Sequence, residues 1–273
     1  MDKPLVSIIT VCYNASSHIG NAIDCVLAQT YHYIEHIIID GGSNDGTQDV
    51  IRKQSCHYSK RGFGLVFFSE PDEGIYDAMN KGIINSKGHI IGIMNADDAY
   101  MPEAVANVVN VFSDRANLLL VHGRVRMVND DGCFLKTQGE HFSTLMFADK
   151  TPFNHPSVFV SRKLYDKIGL FDKKYKTAAD YDFMLRVVKN GIPTQYIDET
   201  ISTIKLVGVT TSRNWPFAGE IYSVLYKNNF SQAQIILGIF SRFIKISTKI
   251  ALNSIGVWKL IQPASRYNDP LNK

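Results

Sequence analysis

A central, mostly parallel β-sheet with helices on both faces is the fold this sequence predicts. Three observations lead there. Short apolar runs alternate with segments of helical periodicity as far as His122, the mark of strand–helix–strand units. Polar residues follow each of four runs at once, at Tyr13-Asn14, Asp40, Glu70 and Asn95-Ala96-Asp97-Asp98. A glycine-rich turn, Asp40-Gly41-Gly42-Ser43, separates the second run from its helix.

The elements can be taken in order. Leu5 to Cys12 is the first strand, and Ser16 or Ser17 caps a helix that reaches Gln29. Strands follow at Glu35 to Ile39, Leu65 to Ser69, His89 to Met94 and Leu118 to His122. Helices are expected at Thr47 to Lys53, Ile75 to Asn85 and Pro102 to Phe112, with Pro102 suited to a first turn. Beyond residue 122 the pattern weakens. Val125 to Val128 and Phe134 to Thr137 read as a hairpin about Asp130-Asp131-Gly132. Ser157 to Val160 is a short strand, Tyr181 to Lys189 a helix stopped by Gly191, and Gln195 to Ile197 and Ile201 to Leu206 are strands.

The 273 residues can bury a sizeable core. Net charge is only +3, so no nucleic-acid partner is indicated. The charge is uneven: from Trp215 onward there are seven Lys or Arg and two acids. Within that tail Ile236, Ile239, Phe240, Phe243, Ile250, Val257, Trp258 and Ile261 fall on one side of an ideal helix. Arg242, Lys245 and Lys249 fall on the other. Such a stretch suits an anionic membrane surface; packing on the body, with solvated lysines, is the other reading. The expected division is a body over 1–214, in two halves that meet at 122/123, with a basic amphipathic helical tail over 215–273. The four cysteines show no metal spacing and suit a reducing compartment. No signal peptide or membrane span is expected, which places the chain in the cytoplasm or on the inner face of the membrane.

Chemistry gathers at the strand ends, where α/β sheets bind ligands. The adjacent carboxylates of Asp97 and Asp98 repel unless a cation sits beside them. Mg²⁺ or Mn²⁺ with a diphosphate would meet that need. Alternatively Asp97 caps the helix near Pro102. Asp40 to Thr47 is neither GxGxxG nor a P-loop and also reads as a tight turn. Asp180, before the helix from Phe183, is either a cap or a base for an acceptor hydroxyl.

The segments Val6 to Asn14, Asp40 to Thr47, Glu70 to Gly82, Asn95 to Asp98, His155-Pro156-Ser157 and Ala179 to Asp182, in this order and spacing, resemble the ordered motifs of glycosyltransferase family 2. The match covers about residues 5 to 212. The resemblance implies a GT-A fold, a nucleoside-diphosphate sugar donor with UDP the expected carrier, a divalent metal, and inversion at the anomeric carbon. It assigns Val11, Tyr13, Asn14, Asp40, Asp77, Asn80, Lys81, Asn95 and Asp97 to the donor. Asp97 and Asp98 fall to the metal, Asp180 to general base catalysis, and His155 and Asp182 to the acceptor side. The acceptor would be a glycan or a lipid-linked glycan in surface polysaccharide synthesis.

Departures from the family pattern limit this. Gly41 stands where a second acid often contacts uracil, Asn95 heads the acidic motif, and Met79 replaces a usual Arg. No QxxRW signature is present, so single-sugar transfer is expected. The rival readings are a sugar-nucleotidyltransferase, whose Gly-rich, Arg-containing N-terminal loop is missing here, and an inactive nucleotide-sugar binding module.

Overall fold

Strands buried on both faces must be apolar at every second residue twice over, and the first half of the chain meets that demand. In the computed structural model, residues 3–115, 117–141, 153–205 and 214–238 are described, with 240, 244 and 247. β1 (Val6–Cys12), β2 (Ile34–Asp40) and β4 (Ile90–Asn95) are buried almost throughout. β3 (Gly64–Ser69) is the half-exposed edge. These four run parallel in the order β3-β2-β1-β4.

Odd and even positions serve two cores. Ile9, Val11, Ile37, Ile39, Ile91 and Ile93 face one, with Tyr76, Met79 and Ile83 of α3 (Ile75–Asn85). Val6, Ile8, Ile38, Ile90 and Met94 face the other. There they meet α1 (Ile19–Leu27), α2 (Thr47–Arg61) and α4 (Ala104–Asp114). Each buried isoleucine contributes roughly 1.5–3 kcal/mol, so both helical layers are needed.

Beyond β4 the sheet becomes mixed. β8 (Val158–Ser161) is antiparallel to β4 and to the start of β6 (Leu120–Val128), while β7 (Phe134–Gln138) pairs with the end of β6. The expected hairpin is therefore present, and its first strand is continuous with the strand from Leu118. β9 (Thr194–Lys205) joins the two short strands expected at 195–197 and 201–206 and lies parallel to β6. The two-residue β5 (Ala99–Tyr100), too short to show in the sequence pattern, closes the far edge against β9. Three residues separate β4 from β5, yet three strands lie between them in the sheet. The sheet therefore curls back on itself.

Helices α5 (Arg162–Ile168) and α6 (Ala179–Lys189) follow β8. The tail starts with α7 (Asn214–Lys227). Its described start packs on the body, because Ile221, Val224, Leu225 and Ile235 belong to the same core as α3 and α6. Glu220 also accepts hydrogen bonds from the Lys176 and Thr177 N–H groups, both at 2.8 Å. Ile236 and Phe240 of the expected apolar stripe are exposed, as are Leu237 and Ile244. The other stripe and basic positions, Ile239, Phe243, Ile250, Val257, Trp258, Ile261, Arg242, Lys245 and Lys249, lie outside the described residues.

On the α2 face the fully buried His36 ring bonds Thr10 Oγ1 at 2.7 Å and Tyr58 Oη at 2.5 Å. Burial pushes its pKa down to about 3 from 6.5, so the folded protein holds it neutral. The unfolded chain therefore binds the extra proton between those two values. This contribution is complete above the unfolded pKa and is lost as pH falls through the window. Denaturant melts at pH 7 and pH 4.5 should show His36→Gln to be less acid-sensitive than the wild type; parallel pH profiles would refute the assignment.

Candidate active site

The register of the parallel strands defines the site. Cys12 pairs with Asp40, Val11 with Asn95, and Asp40 with Ser69. Tyr13, Gly41, Glu70 and Ala96 therefore begin their loops along one edge of the sheet.

The first loops are laced together by the side chains of the glycine-rich motif. Ser43 Oγ accepts from the Asn14 N–H at 2.8 Å, Thr47 Oγ1 from the Ala15 N–H at 2.8 Å, and Asp45 Oδ2 from the Ser16 N–H at 3.0 Å. Asn14 returns a bond, its Oδ1 accepting from the Asn44 N–H at 3.1 Å, with its own φ at +49°. Gly42 and Gly46 supply the left-handed turns, at φ +84° and +95°.

Asp40, expected at the donor, anchors this loop. It is fully buried. Oδ2 accepts from the Ser43 N–H at 3.0 Å and the Ser69 hydroxyl at 2.6 Å, and Oδ1 accepts from the Ser43 hydroxyl. A carboxylate taken from water needs such partners, and none of its capacity faces the edge. Three other expected site residues are likewise buried in the fold. Asn80 is buried, with Nδ2 donating to the Phe171 carbonyl at 2.9 Å and Oδ1 accepting from the Phe171 N–H at 3.1 Å. It ties α3 to the segment before α6. Asp182 has no exposure and pairs with Arg186 Nε at 2.8 Å. Arg186 in turn holds the carbonyls of Ile168 and Leu170, so this pair fixes the loop entering α6. The Val11 side chain is in the core.

Asn95 and the two acids separate cleanly. Asp98 points inward and its Oδ2 accepts from the Asn95 N–H at 3.2 Å and Nδ2 at 3.0 Å. Burial first, and then the charge of Asp97, pushes its pKa up to about 8. Its Oδ1 accepts no hydrogen bond among the described residues. Asp97 is exposed and has no hydrogen-bond partner among the described residues. It caps no helix: the Val105 N–H of α4 is served at 3.1 Å by Gln29 Oε1. Asn95 Oδ1 is buried without a partner. Among the described residues no group of three or more His, Cys, Asp or Glu side chains could hold a metal ion by itself.

Around the start of α3 lies a lattice of charge. Lys81 meets Glu70 at 2.9 Å, the Pro71 carbonyl at 3.0 Å and Asp77 at 3.5 Å. Lys173 bridges Asp77 and Glu73, both at 2.9 Å. The bonds from Lys173 and the Glu73 N–H hold the Asp77 carboxyl below its usual range. Lys81 and Asp77, whose side chains are 26% and 12% exposed, are held in this charge network.

Asp180 opens α6 and is half-buried. Its Oδ1 accepts from Tyr76 Oη at 3.0 Å and from the Tyr181 N–H at 2.8 Å. Oδ2 accepts no hydrogen bond among the described residues. Burial, and then the charge of Asp180, pushes the Tyr76 phenol up, so Tyr76 stays a donor. His155, in a short 3₁₀ turn, lines one small cavity with Asp180, Ile93, Phe171 and Met184. Burial lowers its pKa, so it is neutral near pH 7. The sequence reading missed Tyr76, Ser69, Asp72 and Lys173. Tyr76 alone left a signal, as an aromatic residue at the start of a helix beside two acids.

The model of glycosyl transferase family 2 matches residues 7–169. The chain belongs to this family. It is 28% identical over 210 residues to a PGL/p-HBAD biosynthesis glycosyltransferase of Mycobacterium bovis, covering 76% of this chain and 79% of that protein. It is 36% identical over 190 residues to an uncharacterized glycosyltransferase of Mycobacterium tuberculosis, covering 67% and 68%. The fold is that of GT-A glycosyltransferases. A Pyrobaculum calidifontis mannosyltransferase solved with GDP-Man and Mn²⁺ superposes with TM-score 0.67 at 18% identity, covering 92% of this chain and 76% of that one. TarS of S. aureus with UDP-GlcNAc gives 0.65 at 16% identity, covering 93% and 78%. These relatives lend nothing to the nucleotidyltransferase reading.

Asn80→Ala leaves both the N–H and the carbonyl of Phe171 without their buried partner. It should cost about 1–3 kcal/mol of stability, measured by urea unfolding. Nucleotide affinity of the folded fraction should be unchanged, and selective loss of that affinity would restore a donor role to Asn80.

Proposed function

We propose that this glycosyltransferase moves one sugar, with inversion, from a nucleoside-diphosphate sugar to a hydroxyl of a glycan or glycolipid acceptor. UDP is the expected carrier. The setting of Asp180 carries the proposal. Two hydrogen bonds to Oδ1 fix its orientation and leave Oδ2 as a free acceptor beside the His155 cavity. Oδ2 takes the proton of the acceptor hydroxyl as that oxygen forms its bond to the anomeric carbon. The bond from that carbon to the diphosphate oxygen breaks, and the electron pair leaves with the diphosphate. Neutral His155 lines the cavity on the acceptor side.

Asp97, exposed at the strand edge, with Asp98 and the unpaired Asn95 Oδ1 close in sequence, would hold a Mn²⁺ or Mg²⁺ ion. When bound, the ion neutralises the departing diphosphate. Lys81, within reach of the same loops, adds positive charge. The mannosyltransferase solved with Mn²⁺ supports this reading.

The catalytic unit spans residues 1–214, with donor and acceptor halves meeting near residue 122. The tail takes part in positioning. The exposed Ile236, Leu237, Phe240 and Ile244 and the basic residues around them suit an anionic membrane surface carrying a lipid-linked acceptor. Among the described residues no helix is long and apolar enough to cross a membrane. A peripheral enzyme of surface glycan synthesis on the inner face of the membrane would have these features.

Asp180→Asn should lower turnover by about 10²–10⁴-fold with nucleotide affinity retained, and Tyr76→Phe should lower it less. Full turnover in Asp180→Asn would sink the base assignment. For the tail, the double variant Ile236→Ser, Leu237→Ser should sediment less with phosphatidylglycerol vesicles than the wild type. Equal sedimentation would count against the membrane surface.

A further inference from the structure

Beside the Tyr13 ring lies a carboxylate that the steps above do not use. Tyr13 is 64% exposed at the strand edge, among the most exposed large aromatic side chains described. Gly41 begins the neighbouring loop. A Cβ on Gly41 would stand 2.5 Å from Asp72 Oδ2 and 3.4 Å from Tyr13 Cδ2. Asp72 therefore reaches in from the loop after β3 and fills the hollow that the missing side chain leaves. Its two oxygens differ. Oδ1 accepts from the Gly74 N–H at 2.8 Å, closing the turn that starts α3. Oδ2 accepts no hydrogen bond among the described residues. An open aromatic face with one free acceptor at its edge matches a planar base that stacks and offers one N–H.

We infer that Asp72 selects the nucleobase of the donor, its Oδ2 accepting the N3–H of a uracil or thymine stacked on Tyr13. This rests on the donor-site reading above. Cytosine and adenine present a lone pair at the corresponding ring nitrogen, which a carboxylate repels. Guanine presents N1–H and an amino group side by side and pairs best with two free oxygens, and Asp72 has one. Stacking on Tyr13 contributes for any base, so discrimination falls to Asp72. The same geometry explains why Gly41 carries no side chain: even a methyl group would displace Oδ2.

Binding of UDP, dTDP, GDP and CDP to the full chain with Mn²⁺, by calorimetry, tests this. The wild type should bind UDP or dTDP at least about tenfold more tightly than GDP or CDP. The stronger of the first two tells uracil from thymine. Asp72→Asn keeps an acceptor for the Gly74 N–H but turns a donor toward the base. It should lose about tenfold or more for UDP or dTDP and narrow or reverse the gap to CDP, with its melting temperature unchanged. Gly41→Ala has a backbone that admits a Cβ and should reproduce the loss by displacing the carboxylate. Tyr13→Ala should weaken all four ligands alike. Unchanged affinity in both Asp72→Asn and Gly41→Ala, or a wild-type preference for GDP or CDP, overturns the inference and leaves the donor site standing. A wild type that binds none of the four overturns both.

Discussion

The chain must pass from β4 to the far edge of the sheet in three residues, and the buried carboxyl of Asp98 makes this possible. By accepting both the N–H and the side-chain amide of Asn95, it closes a tight turn. That turn delivers Ala99 and Tyr100 to β9. Tyr100 then packs under Phe159, against Gly92, where a side chain would meet both rings. Everything that curls the sheet passes through this point. The same turn puts Asp97 outward and Asp98 inward, so one short segment both closes the fold and presents a carboxylate to the site.

A second constraint is the shared end of the parallel strands. Register alone lines up the exits of β1, β2, β3 and β4. The loops that leave them would splay without cross-links, and Asp40, Ser43, Asp45 and Thr47 supply these. Much of what looks like ligand chemistry in the glycine-rich motif is therefore scaffolding. Tyr13, Asp72, Lys81, Asp97 and Asp180, which remain at least partly accessible, come from three strand-end loops, the middle of α3 and the start of α6. The division follows from solvation. A buried carboxylate must spend its oxygens on protein donors, whereas one at the rim keeps them for a ligand.

The two halves of the site are joined through α3. Its first turn carries Asp77, within the charge lattice of the donor side, and Tyr76, which holds Asp180 on the other side. Asn80, one turn further on, grips the segment leading into α6. One helix thus sets the spacing between the strand-end loops and Asp180. Changes within it will be felt on both sides.

The sequence alone determined the alternation of strands and helices, the two-sided burial of β1, β2 and β4, and the cluster of polar residues at their ends. These are local properties, written in periodicity and in the order of short motifs. The bounds of α3, Ile75 to Asn85, were legible because one apolar face and a glycine at its entrance mark them. Only the tertiary structure decided which polar residues face solvent. Asp97 and Asp98 are the same residue type in adjacent positions, and Asp180 and Asp182 are two apart. In each pair one side chain is buried, Asp98 and Asp182, while the other lies nearer the surface. No pattern along the chain separates them, because burial is set by what packs from afar: Asn95 turning back on Asp98, Arg186 on Asp182, Tyr76 on Asp180. β5 and the pairing of β6 with β9 were likewise invisible, since contacts between residues 74 to 104 positions apart leave no local period. Asp72 is the clearest case. In the sequence it is one acid in a loop, and it gains its place beside Tyr13 because Gly41, distant in sequence, leaves room for it.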